Sequence, residues 1–356
     1  MKKKKKNILI VVPSFKILGG VANHYQGLAP FWTNNVKYLF QGKRKHIPAI
    51  FTIIPDLITF SILMMFKKYD AVIINPSLRT YQLNRDSIYL RIARFFGKKV
   101  VTFIHGWDYD KADEISKSPA KFCNAYGKSS YIYVLYTGFK KHLESLPMST
   151  PIELTTTKVN DALIKDFNIE NRNGEINRIL FLARADKLKG LDVTIKAFEI
   201  LKKRYTNLEL VICGTGNALN ENIEYVNTNQ INDVQFKGHV TGNDVAKEFA
   251  NTDLYILPTT HGEGMPTSVL EAMAFGQPII TRPVGGLCDF FIDGKMGKFI
   301  ESLNPQDYAD AIEYYINNPG ISKETSMFNH NYAKEHFLAS SVARKIEETL
   351  EKYLNK

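Results

Sequence analysis

Short, continuous apolar runs recur along this chain with helical stretches between them, and that alternation constrains the fold more than any other feature. Asn7–Val12 (NILIVV), Ala71–Ile74 (AVII), Lys99–Ile104 (KVVTFI) and Tyr131–Tyr136 lie in the first half. Arg178–Leu182 (RILFL), Leu208–Cys213 (LELVIC), Asp253–Leu257 (DLYIL) and Ile279-Ile280 lie in the second. A strand that is apolar on both faces must be covered on both faces, the situation of a strand inside a parallel sheet. The alternation therefore predicts an α/β chain with parallel sheets and right-handed crossovers. A length of 356 residues suits two such domains better than one core. The polar stretch from Pro147 to Asn177 holds the expected boundary, placed near Asn171. That gives domains 1–170 and 171–337, with a C-terminal helix at about 338–356 free to pack back on the first.

Charge is divided unevenly between these halves. Residues 1–170 carry 26 Lys/Arg against 12 Asp/Glu, a net of +14, whereas residues 171–356 carry 20 against 24, a net of −4. The first half therefore faces something anionic: a membrane surface or an anionic lipid-linked acceptor. Nucleic acid is disfavoured, because no stacking or helix-turn-helix signature accompanies the charge. Lys2–Lys6 precedes the first apolar run without the apolar core and cleavage site of a signal peptide, so a cytoplasmic location is expected, with contact at the inner face of the membrane as an extension. Cys123, Cys213 and Cys288 have no metal-ligand spacing and read as small buried hydrophobes. No metal site and no cofactor is expected.

Ile47–Phe66 (IPAIFTIIPDLITFSILMMF) approaches membrane-span length, but Pro48, Pro55 and Asp56 interrupt it. What remains predicts an apolar helix of roughly ten residues, too short to cross a bilayer. It reads as a core helix, with an in-plane membrane patch as the second choice.

The second half centres on His261–Arg282 (HGEGMPTSVLEAMAFGQPIITR). A Gly-rich loop containing Gly262 and Gly264 leads past Pro266 into a helix that begins at Thr267 or Ser268 and ends at Gly276. Free N–H groups and the positive end of the dipole at such a helix start suit a phosphate. Glu263 and Glu271 bracket that spot. Carboxylates repel phosphate, so they fit hydroxyl donors on either side of it, which suggests a nucleotide sugar. In the first half, Asn7–Val12 runs into Gly19-Gly20 and then a helix, a second phosphate-facing arrangement without the three-glycine dinucleotide fingerprint. His105-Gly106 sits at the carboxyl end of another strand, and Gly214 ends LELVIC; both are places where open α/β sheets hold ligands.

The central stretch resembles the Glu, seven residues, Glu signature of the retaining glycosyltransferases of family 4 (glycosyl transferases group 1), through Gly264, Pro266, Glu271, Ala272, Ala274, Gly276 and Pro278. The resemblance implies the GT-B fold: two facing Rossmann-like domains with a donor cleft between them. It implies a hexosyltransferase that takes a nucleotide diphosphate sugar, with UDP expected, and passes the sugar with retention to a glycan or lipid-linked acceptor in cell-surface polysaccharide synthesis. By the same resemblance Arg184 and Lys189, in FLARADKLKG, neutralise the donor diphosphate. Glu271 takes the ribose hydroxyls, and Glu263 lies at the transferred sugar. Backbone groups of Gly264, Met265, Pro266, Thr267 and Ser268 line the sugar or phosphate, His105 reaches the sugar from the first domain, and His239-Val240 meets the base. Gly19 and Gly20 admit the donor phosphate or acceptor, and Gly214 joins the donor-binding set. The catalytic candidates are thus Glu263, His105, Arg184 and Lys189. The sequence departs from the commonest pattern at Gly264-Met265, where an aromatic often precedes the glycine, and at Ala183, which replaces a glycine. Two rivals stand beside this reading: a nucleotide-sugar epimerase of the same fold, which needs no acceptor, and a non-catalytic module that binds a nucleotide sugar.

Overall fold

The computed structural model describes residues 5–17, 19–42, 44, 49–262 and 264–355, with the backbone alone for Ala49 and Ile50. Glu263 lies outside the described residues, as do Lys2–Lys4, Lys43, Lys45 and His46 of the basic segments. The chain divides into two compact units, Met1–Lys158 with Ala339–Lys356, and Val159–Leu338.

The first unit runs β1 (Asn7–Pro13), α1 (Gly20–Leu28), β2 (Asn35–Gln41), α2 (Ala49–Phe66), β3 (Ala71–Ile74), α3 (Thr80–Phe95), β4 (Lys99–Phe103), α4 (Tyr109–Lys117), α5 (Ala120–Tyr126), β5 (Tyr131–Val134), α6 (Thr137–Glu144) and β6 (Ile152–Leu154). Its sheet has the order β2-β1-β3-β4-β5-β6, every pair parallel. Ile8 of β1 stands between Val36 on one side and Ala71 on the other, so strand order reverses at β1. The C-terminal helix Ala339–Leu354 belongs to this unit. Its Glu347 carboxylate accepts from the backbone N–H of Thr33 (3.0 Å) and Asn34 (2.8 Å) and from both their side chains. Its last turn is closed by Lys99, whose ammonium donates to the Tyr353 and Leu354 carbonyls, a cation placed at the negative end of a helix.

One expectation for this unit needs correction. The interrupted stretch is a single 18-residue helix, α2, continuous through Pro55. It is not a simple core helix either: Thr52, Asp56, Phe60 and Met64 are buried, while Phe51, Ile54, Ile58, Ile62, Met65 and Phe66 are exposed. Pro55, the seventh residue of α2, lies on the solvent side with Phe51, so the Phe51 carbonyl that loses its N–H partner is on the water-facing side.

The second unit runs β7 (Arg178–Leu182), α7 (Leu191–Lys202), β8 (Glu209–Cys213), α8 (Leu219–Thr228), β9 (Val234–Gly238), α9 (Asn243–Ala250), β10 (Leu254–Leu257), α10 (Thr267–Ala274), β11 (Ile279–Thr281), β12 (Gly297–Phe299), α11 (Pro305–Asn317) and α12 (Pro319–His336), after which Ala339–Leu354 is α13. Its parallel sheet has the order β12-β11-β10-β7-β8-β9, so order reverses between β7 and β10. Residues 159–177 pack here because Arg172 anchors them. Its guanidinium, one-tenth exposed, donates to the carbonyls of Thr252 (2.6 Å), Phe249 (3.0 Å) and Phe275 (3.3 Å) and pairs with Asp253 (3.2 Å). Burial moves both partners toward neutrality, lowering the Arg172 pKa and raising that of Asp253, so here desolvation outweighs their mutual attraction.

Helix α12 buries a polar face. Asn329 donates to the Gln277 and Met296 carbonyls at 2.8 Å each, and His330 Nδ1 lies 2.6 Å from the Ala274 carbonyl at the end of α10. The three cysteines differ from the expectation of uniform burial: Cys213 is buried, Cys123 half-buried and Cys288 exposed.

Candidate functional site

Ligands of open parallel sheets collect beyond the carboxyl ends of the strands where strand order reverses. In the second unit that place lies between β7 and β10, and the two loops leaving those strands carry the residues singled out by sequence. The β7 loop holds Arg184, then a short 3-10 turn Lys187–Lys189, then Gly190. Gly190 has φ 75°, and a Cβ there would come 2.5 Å from the Pro258 carbonyl oxygen, so this position needs glycine for two independent reasons. The close approach presses the cationic turn onto the loop that leaves β10.

Hydrogen bonds then join the loops. The Leu188 carbonyl accepts from the backbone N–H of Thr260 (2.8 Å) and His261 (3.2 Å). The Tyr255 hydroxyl bridges the Leu182 carbonyl (2.9 Å) at the end of β7 and the Ser268 hydroxyl (2.7 Å) in the first turn of α10. The Gly264 carbonyl accepts from the Gly286 N–H at 2.7 Å, tying in a third loop. Arg184, Lys189, Gly264, Met265, Pro266, Thr267, Ser268 and Glu271 therefore belong to two loops and one helix start that are bonded together.

The start of α10 suits an anion. Pro266 precedes it with no side-chain capping bond, so no side chain of the N-cap occupies the first-turn N–H groups. Met265 and Pro266 are buried, while Thr267, Ser268 and Glu271 are half-buried. Arg184 is 69% exposed and pairs with Asp186 at 3.1 Å. An exposed pair of this kind holds by only about 0–1 kcal/mol, which leaves the guanidinium free to turn toward a bound anion. Lys189, in contrast, is buried.

Gly214 supports this loop from below. Its φ is 141°, and a Cβ would fall 1.8 Å from the Ala183 carbonyl oxygen. The adjoining backbone pairs with the Arg184 loop, Ala185 N–H donating to Thr215 (3.1 Å) and Ala218 N–H to Ala185 (2.8 Å). Exposed His239 and half-buried Val240 follow β9, two strand spacings or about 10 Å from β7.

His105, Gly19 and Gly20 lie in the first unit. Gly19 is extended with φ 173°, and Gly20 is the first residue of α1 rather than a loop residue. A Cβ at either would meet nothing within 4 Å, so packing within the chain does not demand glycine there. His105 follows β4 and is held by Asn75, which follows β3. Asn75 Nδ2 donates to the Val11 carbonyl (2.9 Å), which turns Oδ1 toward the Tyr25 hydroxyl (2.8 Å) and His105 Nε2 (3.1 Å). The amide thus accepts from Nε2–H, which leaves Nδ1 as the acceptor nitrogen of the ring. Burial, and secondarily the neighbouring His24, pushes the His105 pKa well below its ordinary value, so the ring is neutral.

Sequence reasoning missed His24, Tyr25, Asn75 and Tyr255. His24 is buried 5.2 Å from the His105 ring, and neither of its ring nitrogens has a hydrogen-bond partner among the described residues. Burial first, then the Lys158 charge, lowers its pKa to about 3. Tyr255 left one signal: a hydroxyl-bearing residue inside an otherwise apolar strand.

Comparison with known proteins agrees with this geometry. Residues 164–336, most of the second unit, match the family model described as glycosyl transferases group 1. The D-inositol 3-phosphate glycosyltransferase of Paenarthrobacter aurescens is 33% identical over 140 residues, covering 38% of this chain and 34% of that protein. Among the curated relatives the chain matches, the aligned stretch takes up from 34% to 70% of the relative's length. A crystal structure of a glycosyltransferase from Rickettsia africae superposes with a TM-score of 0.76 at 16% identity, over 99% of both chains. HepE from Anabaena, crystallised with UDP and glucose, superposes with a TM-score of 0.70 at 16% identity, over 97% of this chain and 99% of that one. With this match the second unit belongs to the glycosyl transferases group 1, and the two parallel six-stranded sheets and the likeness to these solved structures give the chain the GT-B fold.

Proposed function

We propose that this chain moves a hexose from a nucleoside diphosphate sugar, with uridine as the base, to a hydroxyl of a glycan or lipid-linked acceptor, with retention at the anomeric carbon, in the assembly of a surface polysaccharide. The observation that carries this reading is the bond between the cationic β7 turn and the loop that leads into α10, made through the Leu188 carbonyl. A diphosphate needs cations and N–H donors together, and this bond supports the reading that Arg184 and Lys189 act jointly with the start of α10. HepE, crystallised with UDP and glucose, supports the choice of donor.

In this reading the departing diphosphate gains negative charge as the glycosidic bond breaks. Arg184, Lys189 and the first turn of α10 oppose that charge, the arrangement in which fixed dipoles and cations contribute most to rate. The acceptor hydroxyl attacks from the face the diphosphate leaves, and the departing phosphate oxygen takes its proton. Positioning and electrostatics then carry the reaction without a dedicated base. Glu271 orients the donor through the ribose hydroxyls, His105 accepts from a sugar hydroxyl through Nδ1, and Glu263 keeps the role its sequence position implies. Purified protein is to be incubated with a panel of nucleoside diphosphate sugars and lipid-linked acceptors, and nucleoside diphosphate release followed. Release with UDP-hexose that depends on acceptor is the expected result. Donor turnover without any acceptor, or no turnover with any donor, would overturn the reading.

A further inference from the structure

Helix α2 is built inside out. Two of the four residues on its fully buried stripe, Thr52 and Asp56, are polar, and they need their own partners there. Thr52 donates to the Gly42 carbonyl (2.9 Å), while Asp56 accepts from the Gly42 N–H (2.9 Å) and pairs with Arg44 (2.6 Å). Meanwhile Phe51, Ile54, Ile58, Ile62, Met65 and Phe66 recur at helical spacing on the opposite face, each between 52% and 72% exposed. A helix of 18 residues is about 27 Å long. An apolar ridge along that whole length is far more than the scattered surface hydrophobes of an ordinary globular protein.

The charge around the ridge says what covers it. Residues 41–100 hold eleven Lys/Arg against three Asp/Glu, a net of +8. Two of the three acids, Asp56 and Asp86, are buried and paired with Arg44 and Arg85, which removes them from the surface balance. Exposed Lys67 and Lys68 follow the last turn of α2 directly, and Lys98 is held beside them by donating to the Lys67 carbonyl (3.2 Å). Helix α3, packed on α2 through Phe60 and Tyr89, ends in exposed Arg94 and Phe95. A second copy seated on the same ridge by two-fold symmetry would set these cations against themselves. Among the described residues no helix is long and apolar enough to cross a membrane.

We propose that α2 lies in the plane of an anionic lipid bilayer, with Phe51, Ile54, Ile58, Ile62, Met65 and Phe66 at the boundary of headgroups and acyl chains and the flanking lysines and arginines on the lipid phosphates. Apolar burial supplies the hold and the cations select the anionic surface. This assignment is independent of the reaction proposed above.

The test is flotation of the full chain with vesicles of phosphatidylcholine alone and of phosphatidylcholine with phosphatidylglycerol, at low and high salt. The expected result is binding to the mixed vesicles only, weakened about tenfold or more by salt. The triple variant Ile54→Ser, Ile58→Ser, Ile62→Ser should bind about a hundredfold less while melting with the wild type, because all three positions face outward. Phe51→Trp should show a blue-shifted emission with the mixed vesicles and not with phosphatidylcholine. Failure of the wild-type chain to float with mixed vesicles overturns the proposal, as does a triple variant that floats as well as wild type. Equal binding to neutral vesicles at all salts overturns the anionic preference. Light scattering that finds a lipid-free dimer, lost in the triple variant, would reassign the ridge to self-association.

Discussion

The two units place their candidate residues at the same end of a parallel sheet by different physical means. In the second unit the site is made of backbone: Gly190 against the Pro258 carbonyl, Gly214 against Ala183, and the Leu188 carbonyl joined to Thr260 and His261. In the first it is made of side chains: Asn75 fixes His105 and Tyr25, with His24 packed against the imidazole. A backbone site keeps its shape when the exposed side chains it presents are exchanged, whatever that does to activity, but not when its glycines are. A side-chain site depends on one amide orientation and on rings that stay neutral.

The largest expected effect comes from removing charge in the backbone-built site. Arg184→Ala should lower turnover about 10²- to 10³-fold, on the scale of about 2.7–4 kcal/mol for losing one group that opposes developing negative charge. Its melting temperature should match the wild type, since Arg184 is exposed and its pair with Asp186 is of the weakly stabilising surface kind. A variant that loses stability and activity together would erase the distinction between what the loop presents and what holds it. Next comes Gly190→Ala, which adds a Cβ where the backbone is left-handed and a carbonyl oxygen stands 2.5 Å away. Urea unfolding should show a loss of about 2–3 kcal/mol, and UDP titration calorimetry a weaker affinity, because the turn can no longer reach Pro258. Wild-type values in both would mean that the loops are not coupled through this contact.

The same contrast explains what was legible in the sequence. Apolar runs gave the sheets, because a doubly covered strand has little freedom in composition. Gly264, Pro266 and Gly276 marked α10, because helix ends and tight loops demand particular residues at fixed offsets. Arg184 and Lys189 could be grouped with α10 only through resemblance, since the contact that joins them runs through backbone of Leu188, whose side chain carries no signal. Asn75 and His24 were invisible for a related reason: 51 residues apart in the chain, both reach His105 only once β1, β3 and β4 lie side by side. Helices α2 and α12 were misread or passed over because each buries polar residues, Thr52 and Asp56 in one, Ser322, Thr325, Ser326, Asn329 and His330 in the other. Hydrophobic periodicity detects only faces that follow the ordinary rule.

The smallest expected effect tests whether the side-chain-built site depends on neutral rings. His24 has a folded pKa of about 3 against an ordinary value of 6.5, lowered first by burial and then by Lys158. Between those values the unfolded chain binds a proton that the folded chain refuses, so stability is complete above about pH 6.5 and falls as pH drops below it. From pH 7 to pH 5 the loss from this one residue is about 2 kcal/mol, and His105, shifted in the same direction, adds to it. In His24→Leu that share of the pH dependence should vanish. At pH 7 the substitution should cost little, because neither ring nitrogen has a hydrogen-bond partner among the described residues to lose. Urea unfolding of wild type and variant at pH 5 and pH 7 separates the cases. If the variant keeps the full wild-type slope, His24 does not exclude its proton in the fold, and the pH dependence of the first unit must come from His105 and its Asn75 bond instead.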